Sequence, residues 1–229
     1  MSDPRVSRGL ERQLRRRGDS ISAGQEALGW KAGFGAPASR QRFGLDGPLV
    51  GYMTDASVLD DGAEVDISGW GRAVAEPEIF VLLGADIPVG GGVEAARDAI
   101  ASLGPAIELA NIQPPPEDVE EILAGNIFHE GVVLGTPDPG HRGADLSGLE
   151  ARVNLDGEEL HRTTLLEDLT GRLVEVVAHL SDLLAGHGEA MRAGDVVICG
   201  SVVPPIDLAP GNTVGFELHP MRRISVTAR

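Results

Sequence analysis

A single cysteine, Cys199, stands in 229 residues. That count rules out an internal disulfide and any zinc or iron–sulfur centre built on several thiolates, and it fits a reducing compartment. Aromatic residues supply only 3% of the chain against 42% hydrophobic overall, so the core must be made of Val, Leu, Ile and Ala. Positive charge is scarce as well. Nineteen Lys and Arg face 35 Asp and Glu, a formal net charge of −16, which argues against a nucleic-acid surface, since phosphates must be met by cations. No apolar run approaches the roughly 20 residues of a membrane span, and residues 1–17 lack the apolar centre of a signal peptide. These absences predict a cytoplasmic protein with no nucleic-acid or membrane partner. What is abundant is Gly, at 31, and Pro, at 15. So many turn residues favour short strands over a helix bundle.

Periodicity supplies a coarse outline. Val6, Leu10 and Leu14 predict a helix over 4–17 that ends at Gly18, with Arg15, Arg16 and Arg17 as a solvated basic end. Residues 28–34 predict a short strand holding one Lys between glycines, its ammonium either in a pocket or in water. Residues 35–62 are turn-rich, with turns at Asp46-Gly47-Pro48 and Asp61-Gly62. A helix is expected over 93–103, stopped by Gly104 and Pro105, and a turn at 114–116 with a short helix over 117–124 is expected to form a solvent-facing lid. Val153 to Leu160 predicts a hairpin turning at Asp156-Gly157, and Leu173, Val177, Leu180 and Leu184 predict the longest helix. Strands are expected at 196–199, 213–218 and 224–226. The whole is an α+β fold, mainly β with helices packed outside: a helical segment at 1–27 and one catalytic domain over 28–229.

The most informative stretch is Val74-Ala75-Glu76-Pro77-Glu78-Ile79-Phe80-Val81-Leu82-Leu83. Side chains alternate along a strand, so Glu76 and Glu78 share one side, roughly 6 to 7 Å apart. Such a pair is either two solvated acids on an edge strand, as Pro77 suggests, or half of a site for a hard divalent ion such as Mg²⁺ or Mn²⁺. A second strand, Ala106-Ile107-Glu108-Leu109-Ala110, puts Glu108 between two alanines. A carboxylate among small apolar neighbours is costly to bury unless a cation meets it. Glu108 is therefore the natural third ligand.

Several blocks then line up in order: Gly29-Trp30-Lys31-Ala32-Gly33, Gln41-Arg42-Phe43-Gly44-Leu45-Asp46-Gly47-Pro48, Gly51-Tyr52-Met53-Thr54-Asp55, Glu76-Pro77-Glu78-Ile79, Pro105-Ala106-Ile107-Glu108, Ala193-Gly194-Asp195-Val196 and Gly200-Ser201. Together they resemble the 2-keto-4-pentenoate hydratase and 4-oxalocrotonate decarboxylase branch of the fumarylacetoacetate hydrolase superfamily. The resemblance implies a mixed β-roll or barrel of the C-terminal-domain type, with Mg²⁺ or Mn²⁺ held by Glu76, Glu78 and Glu108. It implies a 2-oxo or 2-hydroxy-dienoic acid as substrate, with enolate charge stabilised by the ion. Lys31 takes the place of an active-site lysine that binds the substrate carboxylate or transfers a proton. Ser201 and Asp55 fall on substrate-binding positions. The resemblance further implies a homo-oligomer and a role in aromatic-compound catabolism.

The chain departs from this pattern at Gly125-Asn126-Ile127-Phe128-His129, where relatives carry aspartate, asparagine, alanine and serine in a row, and again around Leu169-Thr170-Gly171-Arg172-Leu173. Phe128 and His129 either fill or re-equip the pocket, and His129 is either a replacement acid/base or an exposed loop residue. The primary expectation is a metal-dependent hydro-lyase (hydratase). Decarboxylation and C–C hydrolysis of a related 2-oxo acid are the alternatives in chemistry, with His129 as the candidate base for hydrolysis. A catalytically reduced subunit in complex with a sister pathway enzyme is the alternative of another class.

Overall fold

The computed structural model describes residues 3–112 and 115–229. In chain order the elements are α1 (Pro4–Ser22), β1 (Ala27–Gly33), α2 (Pro37–Phe43), β2 (Leu49–Thr54), β3 (Val58–Leu59), β4 (Ala63–Val65), β5 (Ala73–Leu83), α3 (Gly92–Ala99), β6 (Ile100–Asn111), α4 (Val119–Ala124), β7 (His129–Leu134), β8 (Glu150–Leu155), β9 (Glu158–Thr163), α5 (Leu173–Ala185), β10 (Val196–Ser201), β11 (Ile206–Asp207), β12 (Thr213–His219) and β13 (Ile224–Ala228). They form two mixed sheets with helices around them, the expected α+β arrangement. One sheet has eight strands in the order β2-β1-β10-β5-β6-β7-β3, with β11 added beside β5, and the other runs β4-β13-β12-β8-β9. Among the described residues no helix is long and apolar enough to cross a membrane.

The large sheet separates two environments. On β5 and β6, Ala75, Ile79, Val81, Ile107 and Leu109 point into the main core, shared with β12 and β13 of the smaller sheet. The alternate residues, Glu76 and Glu78 on β5 and Glu108 on β6, point to the other side. The core side is apolar because it is closed, so strand periodicity forces the polar residues onto the opposite face. β5 is not an edge strand despite Pro77, since β10 flanks it on one side and β6 on the other.

Four features differ from the sequence-based outline. The helix at 93–103 stops at Ala99, and Ile100 to Leu103 open β6, where Leu103 pairs with Val81 and Gly104 with Phe80. Gly104 is not a stop signal there. A Cβ on it would lie 2.7 Å from the Phe80 ring, so the residue is bare to let that ring pack. The turn-rich stretch 35–62 conceals α2 and the wholly buried β2. The short helix expected here is present as α4, but it is not a solvent-facing lid: it buries Val119, Ile122 and Leu123 and packs on α1, while Pro114 lies outside the described residues. α1, at 19 residues, exceeds the 13 of α5 and runs through Gly18. Arg17 is not a solvated cap, because its guanidinium lies 4.7 Å over the Trp30 ring and its side chain is only 16% exposed.

Gly29 fixes the contact between β1 and β10. Its φ is 149°, and an added Cβ would sit 1.9 Å from the Val196 carbonyl oxygen. We therefore expect Gly29→Ala to destabilise the protein by about 3 kcal/mol or more in chemical denaturation. Gly18→Ala, inside α1 with open space around it, should be neutral or stabilise by up to about 1 kcal/mol.

Candidate metal centre and active site

Glu76 and Glu108 face each other directly across the β5–β6 ladder, and Glu78 lies one side-chain repeat further along β5. One carboxylate oxygen from each of the three comes within 4.8 Å of the others. Glu76 and Glu78 line a cavity of about 460 Å³, together with Lys31 of β1 and Ser201 of β10.

Each acid has a specific anchor. Lys31 Nζ donates to Glu108 Oε1 and, at 3.2 Å, to the Ile127 carbonyl. His129 Nδ1 lies 2.8 Å from that same Glu108 oxygen. The Ser201 hydroxyl donates to Glu76 Oε1 at 2.9 Å, and the Gly200 amide donates to Glu78 Oε2 at 2.6 Å. These last two contacts come from a bulge. Ile198 pairs with Phe80 and Ser201 with Glu78, so β10 has one more residue than β5 between the two pairs. The extra residue, with Gly200 at φ 103°, re-aims the strand so that an amide and a hydroxyl face the carboxylates.

Lys31 is 1% exposed and is held by sequence features of its own. Gly51 stands opposite it on β2, and a Cβ there would lie 2.7 Å from the lysine Cγ. The bare glycine makes the slot for the aliphatic stem. The Ile127 carbonyl reaches Nζ because Asn126, Ile127 and Phe128 all take positive φ, at 55°, 52° and 62°. Left-handed backbone is costly for a β-branched residue. The Asn126 side chain offsets that cost by clamping β2, accepting from Tyr52 N and donating to Tyr52 O, both at 2.9 Å.

Burial pushes Glu78 well above the usual glutamate range, and the negative charges of Glu108 and Glu76 push it further. Glu76 is raised for the same two reasons, burial and Glu108. Burial also acts on Glu108, but the Lys31 ammonium and the His129 hydrogen bond outweigh it, and Glu108 is held below its ordinary value. Cys199 lines the cavity, yet burial followed by the charges of Glu78 and Glu167 raises its thiol so far that it has no nucleophilic role at neutral pH.

The residues fit a divalent cation. Among the described residues Glu108 Oε2 is buried without a hydrogen-bond partner, and three carboxylates share one lysine. An all-oxygen set of this kind suits a hard ion.

Among the other sequence-predicted residues, His129 is neither exposed nor on the cavity wall. Its side chain is 4% exposed, and its Nδ1 lies against Glu108. Asp55 does not face the cavity at all. It is exposed and accepts from the Glu26 amide at 2.8 Å, tying β2 to the start of β1. The Gly200 amide, Gly51 and the Ile127 carbonyl escaped sequence reasoning. A glycine paired with a buried lysine is a signal for the second, but the other two are backbone groups that leave no mark in a sequence.

The sequence pattern described as fumarylacetoacetate (FAA) hydrolase, C-terminal, matches residues 32–227. The chain belongs to the fumarylacetoacetate hydrolase family. It is 26% identical over 210 residues to a 4-oxalocrotonate decarboxylase from a Pseudomonas species, covering 90% of this chain and 80% of that one. A 2-keto-4-pentenoate hydratase from Paraburkholderia xenovorans is 25% identical over 202 residues, covering 87% of this chain and 74% of the relative. Among solved structures, 4-oxalocrotonate decarboxylase from Pseudomonas putida, complexed with magnesium and adipate, superimposes with a TM-score of 0.89 at 22% identity, over 98% of this chain and 86% of that one. Fumarylpyruvate hydrolase from Pseudomonas aeruginosa, in complex with Mn²⁺ and pyruvate, gives 0.68 at 16% identity, over 87% and 88% of the two chains.

The raised Glu78 gives a signed expectation. Without an ion, folding favours its protonated form, so that stability is present below the ordinary value of 4.5 and is lost as pH rises through the raised one. In chelator-treated samples Glu78→Gln should melt above wild type at pH 8, with the gap narrowing at pH 5.5. Mn²⁺ should stabilise wild type more at pH 8, because a ligand proton must leave first, and should leave Glu78→Gln unmoved. A pH-independent Mn²⁺ effect, or a destabilised Glu78→Gln at pH 8, would contradict this electrostatic account.

Proposed function

We propose that the chain is a divalent-metal-dependent hydro-lyase (hydratase) acting on a 2-hydroxy-2,4-dienoate or its 2-oxo tautomer. The observation that carries the reading is the convergence of Glu76, Glu78 and Glu108 beside the buried Lys31. Mg²⁺ or Mn²⁺, the ions with which two neighbouring structures are complexed, would be held by those three acids and would supply Lewis-acid stabilisation of negative charge on an α-oxo acid. Lys31 offers three N–H donors; Glu108 and Ile127 take two. The third serves the substrate, to bind its carboxylate or to pass a proton from Nζ during ketonisation. Glu108 fixes the position of that ammonium, His129 fixes Glu108, and Ser201 and Gly200 fix the other two carboxylates. The walls of the cavity keep bulk water from the reacting carbons.

Decarboxylation of a 2-oxo-enedioate is the second reading, supported by relatives of that name at 26% identity. C–C hydrolysis is less well supported, because His129, the candidate water-activating base, is turned behind Glu108. We also propose a homo-oligomeric cytoplasmic enzyme of aromatic-compound catabolism, as the family resemblance implies. Loss of the dienol ultraviolet band from 2-hydroxypenta-2,4-dienoate, dependent on added Mg²⁺, is the expected result. Carbon dioxide release from 4-oxalocrotonate without that loss would favour decarboxylation, and neither activity would overturn the enzyme reading. Lys31→Met should lower kcat by roughly 10²- to 10⁴-fold, the scale of one positioned proton-transfer group, and Glu108→Ala should abolish metal-dependent turnover.

A further inference from the structure

The cavity is much richer in aromatic side chains than the chain that forms it. Three of the five phenylalanines, Phe34, Phe43 and Phe128, line it, together with Ile127, Leu169 and Val176. Phe34 and Phe43 meet edge to face, with ring centroids 5.4 Å apart at 84°. The guanidinium of Arg42 lies over the Phe43 ring, 4.9 Å from its centroid, and donates to the Pro116 carbonyl at 3.0 Å. The acids on the lining are Glu76 and Glu78, and Arg42 and Arg72 line it as well. At about 460 Å³ the cavity falls in the range that buries drug-sized ligands.

Phe128 is the least expected of these residues. It ends the left-handed turn that begins at Asn126, so the strained backbone that offers the Ile127 carbonyl to Lys31 also puts an aromatic residue on the cavity wall. Phe128 is only partly buried, packed against the cluster of Phe43, Leu49 and Ile127, so part of its ring is left for contact with a ligand.

Building on the proposed function, the geometry points to a 2-oxo acid that carries a large, flat apolar group beyond C4, an aryl ring or an extended polyene, stacked on Phe128 and Phe34. Aromatic side chains recognise a flat tail by face and edge contacts that a short vinyl group or a flexible chain forms poorly. Arg42 stacks along the end of such a tail as it already stacks on Phe43.

The test is equilibrium binding to the Mn²⁺-loaded full chain, by calorimetry, of three acids that share the 2-oxo carboxylate and differ in their tails: 2-oxopentanoate, 2-oxo-4-phenylbutanoate and 2-oxoadipate. The phenyl compound should bind roughly tenfold or more tightly than either of the others. Phe128→Leu, which keeps bulk without a flat face, should cut that preference to about threefold or less, while Phe128→Trp should keep it. Equal affinity of the phenyl and propyl acids, or tightest binding of 2-oxoadipate through Arg42, would overturn the assignment of the tail while leaving the metal-dependent reading in place. If none of the three acids binds, both fail together.

Discussion

Three carboxylates meet at one point in this protein, and a single ammonium meets them. Removing a charged group from water costs several kcal/mol even after the surroundings relax. A cluster of two buried acids and a half-buried third around one lysine is thus an electrostatic deficit. The deficit is local and specific: Lys31 and His129 hold Glu108 below its ordinary value against its burial, while burial and the neighbouring charges push Glu78 toward its neutral form. A doubly charged cation is the natural way to complete such a set. The bulge in β10, the bare Gly51 and the left-handed turn at 126–128 are understandable as the means by which the backbone holds an otherwise unfavourable constellation in place.

The asymmetry among the three acids has a structural origin. Glu108 lies where β1, β6 and β7 bring Lys31 and His129 to one oxygen, which leaves the other oxygen unpartnered among the described residues. Glu76 and Glu78 receive a hydroxyl and an amide, each a weaker partner than an ammonium. A divalent ion held by these acids would share Glu108 with Lys31 and would supply Lewis-acid chemistry beside its ammonium.

The part of the site carried by strand periodicity was legible in the sequence. The alternation of Glu76 and Glu78, and Glu108 between Ala106 and Ala110, placed three acids on one face because side-chain direction in a strand has a period of two. What depended on departures from that period was hidden. The Gly200 amide reaches Glu78 through an extra residue in β10, and no composition rule locates a bulge. His129 reads in the sequence as either a replacement acid/base or an exposed loop residue, yet it opens β7 and its ring lies against Glu108. Asp55 sat in a motif next to the site but ends its strand on the outer side. The helix over 93–103 was overextended because Ile100 and Leu103 fit both periods, and the β5 ladder decided for the strand. Tertiary pairing overrode local pattern wherever both were satisfied by the same apolar residues.

The most direct measurement counts bound Mn²⁺ per chain by electron paramagnetic resonance during titration of metal-free protein. One tightly held ion per chain, absent in the combined Glu76→Gln, Glu78→Gln, Glu108→Gln variant that remains folded by circular dichroism, is the predicted result. No tight site in the wild type, or an equally tight site in the triple variant, would contradict the claim that these three carboxylates converge to hold a divalent ion.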